Sequence, residues 1–296
     1  MSDGNNETLD ASCYCASCGV AELDDIKLVP CDGCDLVKYC GDDCRENHQS
    51  EHEEDCKKRA AELRDELLFK QPESSHLGDC PICSLPLPLD QKKYGIYQCC
   101  SKMICKGCAS ANWRREDEMR VQRTCPFCRV ALPKSDEEFD KQRTKRIEVN
   151  DPVAISHQGM KQYDSGDYSG AFEYFTKAAE LGNAEAHRRL SGLYHDGNGV
   201  EEDERKFIYH AEEASIGGHP KARCALGLTE LGNGNDDRAV KHFVISATQG
   251  DDLSIKMLLD LYRDGEVEKE VLAAALRAHK AAVDATKSPQ REEAEE

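Results

Sequence analysis

Thiol and imidazole side chains are concentrated in the first half of the chain, with the spacing of metal ligands. Of the 17 cysteines, all but Cys224 fall between Cys13 and Cys128. In the first cluster they come in pairs separated by two or three residues, so that one tight turn can direct both side chains at the same ion. The pairs are Cys15–Cys18, Cys31–Cys34, Cys40–Cys44 and His52–Cys56. Eight such ligands are enough for two tetrahedral zinc ions.

A second cluster supplies eight more candidate ligands. They are Cys80–Cys83, Cys99–Cys100, Cys105–Cys108 and Cys125–Cys128. The two clusters together predict four zinc ions. Two cysteines are left over: we expect Cys13 to be a spare exposed thiol, and Cys224, at an apolar position of a helical segment, to be a buried structural cysteine.

The expected compartment favours zinc binding by the cysteines over disulfide bonds, and the net charge argues against nucleic acid as a partner. The opening residues MSDGNNETLD have neither the basic nor the apolar region of a signal peptide, and no apolar run reaches the ~18–20 residues of a membrane span. We therefore expect a cytoplasmic or nuclear protein with reduced thiols. The net charge of −18 argues against binding to nucleic acid or to a membrane. The expected partners are other proteins.

The first cluster, over residues 15–56, resembles the MYND zinc finger. Tyr39 directly precedes Cys40, and the segment ends in the His52–Cys56 pair. The resemblance implies that alternate ligand pairs bind the same zinc ion. It also implies that His48 packs against its neighbours and does not bind zinc. One zinc would take Cys15, Cys18, Cys40 and Cys44, and the other Cys31, Cys34, His52 and Cys56. MYND fingers are interaction modules, often for short proline-containing peptides; the alternative is a zinc staple that only holds the fold together.

The second cluster resembles a RING finger in an all-cysteine form, with Lys102 at the position where common RING fingers have a histidine ligand. By this resemblance Cys80, Cys83, Cys105 and Cys108 hold one zinc, and Cys99, Cys100, Cys125 and Cys128 hold the other. The resemblance also implies a docking face for a ubiquitin-conjugating enzyme. Ile82, Trp113 and Pro126 would contact that enzyme, and Arg129 would clamp the ubiquitin thioester. The alternative is that these four are ordinary core, turn and surface residues.

Other segments must position these clusters. Residues 1–12 are predicted to be a disordered leader and 13–56 the first finger. A helical linker follows at 57–79, where apolar residues recur at helical spacing until Pro72. The second finger is expected at 80–132 and a linker helix at 133–150. Ser135 and Glu138 have the form of a capping box at the start of that helix. Residues 285–296 are predicted to be a disordered acidic tail.

A degenerate repeat fills residues 151–284. Gly182, Gly218 and Gly250 recur in one register, as do Ala178, Ala214 and Ser246. Each unit predicts two helices joined by a short turn, with small residues that let the helices pack closely. The segment resembles Sel-one-like repeats, relatives of the tetratricopeptide repeat, which stack into a solenoid that binds other proteins. The fold class is therefore mainly α, with two small cross-brace zinc-finger modules followed by an α-solenoid of helix-turn-helix repeats.

These features predict a zinc-binding, multi-domain adaptor. In the leading hypothesis it is a RING-type ubiquitin ligase. The RING finger recruits the conjugating enzyme, while the MYND finger and the solenoid recruit substrate. Such a protein needs no catalytic residue of its own, because it acts by positioning the reactants. The alternative is a non-enzymatic interaction scaffold or a nuclear co-regulator.

Overall fold

The computed structural model describes residues 14–23 and 25–294, which are mainly helical. The chain is divided into two compact units, with the boundary between Lys70 and Gln71. The predicted leader at 1–12 and Cys13 lie outside the described residues. Within the described part of the chain, no helix combines the length and the apolar character needed to span a membrane.

The first unit contains the first cysteine module (residues 13–56). Strands β1 (Val29–Pro30) and β2 (Lys38–Tyr39) pair antiparallel, with Val29 opposite Tyr39. Helix α1 (Asp42–Leu68) follows, and acidic residues in its first turn interact favourably with the positive end of the helix dipole. The predicted linker helix is therefore not separate, because its first residues continue the helix that already carries Cys44, His52 and Cys56.

The second cysteine module (residues 80–132) opens the second unit. A 3₁₀ turn (Gln91–Lys93) leads into a hairpin of β3 (Tyr94–Tyr97) and β4 (Lys102–Cys105), in which Tyr94 pairs with Cys105. Helix α2 (Lys106–Glu118) comes next, and the Cys105 side chain accepts a hydrogen bond at its start. The small core holds Leu87, Ile104 and four of the cysteines, so nearly half of its buried residues are candidate metal ligands.

Within the described residues nine longer helices follow, and consecutive ones pack against each other. They are α3 (Asp136–Glu148), α4 (Pro152–Asp164), α5 (Tyr168–Glu180), α6 (Ala184–Asp196), α7 (Glu204–Ile216), α8 (Pro220–Gly232), α9 (Asp236–Thr248), α10 (Asp252–Asp264) and α11 (Lys269–Ala285). Ser135 caps α3 as predicted by accepting from Glu138 N, while the Glu138 carboxylate accepts from Lys134 N, one residue before the cap, at 2.8 Å. The three repeat glycines have positive φ angles of 80°, 79° and 93°, as the turns require.

Close packing in the solenoid depends on small residues in register. Ala178, Ala214 and Ser246 are fully buried. A Cβ atom added to Gly159 would lie 2.7 Å from the Phe175 ring, and one added to Gly227 would lie 2.7 Å from the Phe243 ring. These two contacts join α4 to α5 and α8 to α9 at equivalent repeat positions. Cys224 is buried in the apolar core of α8–α11, as predicted for a structural cysteine.

Residues 71–79 pack on the solenoid rather than forming a helix. His76 N donates to Gly218 O at 2.9 Å, and the Gln249 side chain donates to Ser74 O. Gly218 must lack a side chain here, because a Cβ atom would lie 2.8 Å from Ser74 O. The second cysteine module is thus hydrogen-bonded into the helical repeats through the segment that precedes it.

The structure differs from the disordered tail predicted for residues 285–296. A short helix, α12 (Pro289–Glu293), packs against α2, and Arg291 is buried. The prediction was wrong for the described part of this segment because its polar composition concealed one side chain with several buried acceptors.

Candidate metal centres

The first unit brings its eight predicted ligands together in two groups of four. In the first group the sulfur of Cys40 lies 3.6 Å from that of Cys18 and 3.5 Å from that of Cys44. In the second, Cys31 Sγ lies 3.7 Å from Cys56 Sγ, and Cys34 Sγ lies 3.2 Å from His52 Nε2. The groups are Cys15, Cys18, Cys40, Cys44 and Cys31, Cys34, His52, Cys56, each with its ligand atoms within 4.8 Å of one another.

The hairpin loop supplies Cys31 and Cys34 to the second group only, whereas α1 supplies ligands to both groups. Cys44 joins the first group from the start of α1, whereas His52 and Cys56 join the second from further along the same helix. His48, between them, contacts Tyr39 Oη at 3.1 Å through Nδ1 and stays outside both groups. Gly33 is a position that the sequence reasoning missed: a Cβ atom there would lie 3.0 Å from Cys56 Sγ.

The second cysteine module forms a third and a fourth group. Cys83 Sγ lies 3.9 Å from Cys105 Sγ in the third. In the fourth, the adjacent cysteines both take part: Cys99 Sγ lies 3.3 Å from Cys128 Sγ, and Cys100 Sγ lies 3.8 Å from Cys125 Sγ. The groups are Cys80, Cys83, Cys105, Cys108 and Cys99, Cys100, Cys125, Cys128. Lys102 is exposed and belongs to neither.

These distances fit tetrahedral zinc. Zn–S bonds of about 2.3 Å in a tetrahedron place sulfur atoms about 3.8 Å apart. The S···S separations of 3.3–3.9 Å lie close to that value and are far longer than the ~2.05 Å of a disulfide. All the described cysteines are free thiols. Donor type and spacing therefore suit four zinc-sized ions.

The electrostatics of the groups favour a bound cation. The hydrogen bond from the Cys105 thiol lowers the pKa of Cys80 to about 4, so this sulfur ionises readily. Burial raises the pKa of Cys108 to about 12, with a further contribution from the charge on Cys80. The fourth group behaves alike, since burial and the nearby Cys125 charge raise the pKa of Cys100 to about 11. Neighbouring thiols resist becoming thiolates together, and a divalent ion removes that resistance.

A fifth group has ligand-type side chains but is poorly arranged for a metal. His76, Glu185 and His219 lie within 4.8 Å of one another. The two imidazole rings are stacked, with centroids 3.8 Å apart and planes inclined by 16°. Lone pairs in nearly parallel ring planes cannot converge on one ion at the ~2.0–2.1 Å of a Zn–N bond.

The Glu185 and His219 side chains of this group already have hydrogen-bond partners. The Glu185 carboxylate accepts from Arg188 and Arg189 at 2.7 Å and from His219 Nε2 at 2.8 Å. The Nδ1 atom of His219 caps α8 by accepting from Ala222 N. We interpret the group as a buried hydrogen-bonded junction between the second cysteine module and the repeats.

The predicted enzyme-docking residues differ in exposure. Ile82 is 44% exposed, and Trp113 is half-buried with the Arg123 guanidinium 5.5 Å from its ring. Pro126 is buried, and its exposed neighbour is Phe127. Arg129 is exposed, with a φ of 63° and a hydrogen bond from Nη1 to Asn112 Oδ1 at 2.6 Å. The structure thus leaves Ile82 and Arg129 at the surface and withdraws Pro126 from it.

Two families of domain match the chain. The sequence profile of the MYND finger matches residues 15–56. That of the Sel1 repeat matches residues 158–183, 184–219 and 220–251. The chain combines a MYND finger with Sel1 repeats. Both resemblances seen in the sequence are thereby confirmed, while the RING-type assignment of the second cysteine module stays a prediction. The MYND finger also supports zinc binding, and both modules indicate a protein-interaction adaptor.

Solved structures with Sel1 repeats are also similar. A Sel1 repeat protein from Oxalobacter formigenes is 24% identical, with a TM-score of 0.44, and the match covers 59% of this chain and 71% of that one. The antigen c5321 of uropathogenic Escherichia coli, which displays an SLR fold, is 20% identical with a TM-score of 0.44. That match covers 59% of this chain and 38% of c5321. No curated protein matches the chain.

Proposed function

We propose that this protein is a zinc-dependent adaptor that loads four zinc ions and brings a ubiquitin-conjugating enzyme to substrates held by its other modules. The MYND finger and the Sel1 repeats would bind the substrates, and the second cysteine module would act as a RING-type ubiquitin ligase. It would act in the cytoplasm or nucleus, where thiols stay reduced. The observation that carries the proposal is the third and fourth cysteine groups, which interleave along the sequence.

The surface of that module supports the docking part of the proposal. Ile82 lies between two ligands of the third group, and it is 44% exposed. Trp113 packs against the module core from α2, and the exposed Phe127 lies between two ligands of the fourth group. A partner that covered this face would bury aromatic and aliphatic side chains, the type of residue that dominates binding energy at interfaces.

A transfer assay tests the ligase. Zinc-loaded protein is incubated with the activating enzyme, a panel of conjugating enzymes, ubiquitin and ATP, and chain formation is followed on gels. We expect Ile82→Ala to reduce chain formation about tenfold or more, because a central apolar anchor is lost. Leu253→Ala is the matched control, since Leu253 of α10 is similarly exposed (46%) but belongs to the repeats. If the folded, zinc-loaded protein forms no ubiquitin chains with any conjugating enzyme of a broad panel, ligase activity is refuted.

Zinc content tests the metal part separately. Elemental analysis of purified protein is expected to give four zinc ions per chain, one for each group of four ligands. Loss of Cys99 or of Cys100 to serine should remove the same one ion. A wild-type value of two would contradict the zinc assignment of the second cysteine module.

A non-enzymatic scaffold is the second candidate. Burial of Pro126 and the hydrogen bond that holds Arg129 to Asn112 favour it, because both residues would have to engage a conjugating enzyme in a ligase. The two candidates differ in outcome: a scaffold retains four zinc ions and partner binding but forms no ubiquitin chains.

A further inference from the structure

Arg291 of helix α12 is buried against the third cysteine group. Its side chain is part of a residue only 6% exposed. Nη1 donates to Pro86 O at 2.7 Å and to Thr286 O at 2.6 Å. Nη2 donates to Leu85 O at 3.1 Å and lies 3.3 Å from Cys83 Sγ. The guanidinium therefore fills the loop that follows a predicted zinc ligand.

The rest of α12 fits the same face of the module. Gly107, between two ligands of the third group, has no room for a side chain, because a Cβ atom would lie 2.8 Å from Gln290 O and 2.9 Å from Arg291 Cα. Gln290 Nε2 donates to Gly107 O at 3.3 Å. At the periphery, Arg114 of α2 makes two hydrogen bonds to Glu293, at 2.8 and 2.9 Å. Helix α12 thus contacts both cysteine pairs of one group.

Charge explains why an arginine stands there. One Zn²⁺ and four thiolates carry a net charge of −2, and the third group is the most buried of the four. Buried negative charge is costly unless it is paired and hydrogen-bonded. A buried guanidinium has the same need with the opposite sign. Each therefore lowers the cost of burying the other, and charge-assisted N–H···S contacts are the direct link between them.

We propose that Arg291 is the charge partner of the zinc–thiolate centre of Cys80, Cys83, Cys105 and Cys108, so that docking of α12 depends on zinc at this one site. The inference rests on the proposed zinc assignment and is independent of ubiquitin transfer. Arg291 acts here as a positioning residue: it touches a ligand of the metal and holds the loop that carries Ile82 against α2.

Zinc release from the full chain is the first test. The protein is mixed with excess chromogenic chelator, and release is followed over time for wild type, Arg291→Gln and Arg291→Lys. We expect one of the four ions to leave about tenfold faster in Arg291→Gln, as is typical when an outer partner of a metal ligand is lost. Arg291→Lys keeps the charge but not the planar fork, and should give an intermediate rate.

The matched control is Glu293→Gln, which breaks the exposed ion pair with Arg114 but leaves Arg291 in place. It should not change any release rate. Two outcomes would overturn the proposal: unchanged release of all four ions in Arg291→Gln, or equal acceleration of all four, which would mean a general loss of stability.

Hydrogen exchange in the wild-type chain tests the reverse direction. Amides of residues 286–294 are followed by mass spectrometry while zinc is withdrawn by chelator, with α10 as the internal reference. We expect protection in α12 to disappear as zinc leaves the third cysteine group, while α10 stays protected. Equal exchange in α12 with and without zinc would refute the dependence on zinc.

Discussion

At the residue scale, the buried polar groups of this chain differ in whether a neighbouring side chain compensates their charge. In the four cysteine groups, the pKa values of seven thiols are raised by burial and by neighbouring thiols, and the missing compensation is a cation. In the junction of His76, Glu185 and His219, two arginines already supply it. Burial lowers the pKa of His76 to about 3, with a smaller contribution from the neighbouring His219. Both stacked rings are therefore neutral near pH 7, which is what the stacking requires.

The junction predicts sensitivity to acid. The pKa of His76 is about 3 in the folded chain and 6.5 as its usual value, so the unfolded chain binds the extra proton below about pH 6.5. Stability is thus present above that pH and is lost as the pH falls. Between pH 7.5 and 5.5 we expect wild type to lose about 1 kcal/mol more unfolding free energy than His76→Phe, which keeps the stacked ring. Urea unfolding followed by circular dichroism measures this, and equal losses in both proteins would contradict it.

Packing between paired helices sets the repeat geometry at the element scale. Gly159 and Gly227 occupy equivalent positions on α4 and α8, and each faces a phenylalanine of the next helix. In the middle repeat the equivalent positions hold Ser191 and Ala211, both buried. Phe207 stands at the position that is Ala171 and Ala239 in the flanking repeats. The repeats therefore use different residue types at equivalent positions.

Two glycine substitutions distinguish packing from helix propensity. In Gly227→Ala the new methyl group would lie 2.7 Å from the Phe243 ring, and we expect a loss of about 1–3 kcal/mol in unfolding free energy. Gly192→Ala is the matched control on α6, where a Cβ atom meets nothing within 4 Å. It should stabilise by about 0.5–1 kcal/mol, because alanine is the better helix former. Thermal unfolding compares them, and a neutral Gly227→Ala would refute the tight contact.

At the scale of the whole molecule, the two units depend on metal to different degrees. The apolar core of the first consists of Cys15, Leu28 and Tyr39 with a few half-buried neighbours, too little to hold a fold without ligands. The repeats of the second bury phenylalanine, leucine and alanine side chains in two larger clusters. We therefore expect zinc to be needed for the fold of the first unit, while the repeat helices are stabilised by packing.

Chelation should expose this difference. After treatment with excess chelator under reducing conditions, we expect trypsin to digest residues 14–70 rapidly, whereas a fragment covering α4–α11 survives. Mass spectrometry identifies the fragments, and zinc-loaded protein is the control. Equal resistance of residues 14–70 with and without chelator would show that the first unit does not need the metal.

Much of this structure could be predicted from the sequence because the signals were local. Cysteine spacing, the Ser135 cap and the repeat glycines each depend on residues a few positions apart. Other features depend on tertiary contacts. These are the pairing of Cys99 with Cys128 and of Cys100 with Cys125, the burial of Pro126, and the path of residues 71–79. Arg291 carried no local signal, since all but one of its acceptors lie about 200 residues earlier in the chain.

That separation means that the cysteines of the third group are synthesised well before Arg291. Cys83 and Arg291 are 208 positions apart. A ribosome adding about 5–20 residues per second needs about 10–40 s to cover that distance. The cysteines emerge first and can close around an ion long before their arginine exists. We therefore expect newly made chains to pass through a period in which this cysteine group has no charge partner.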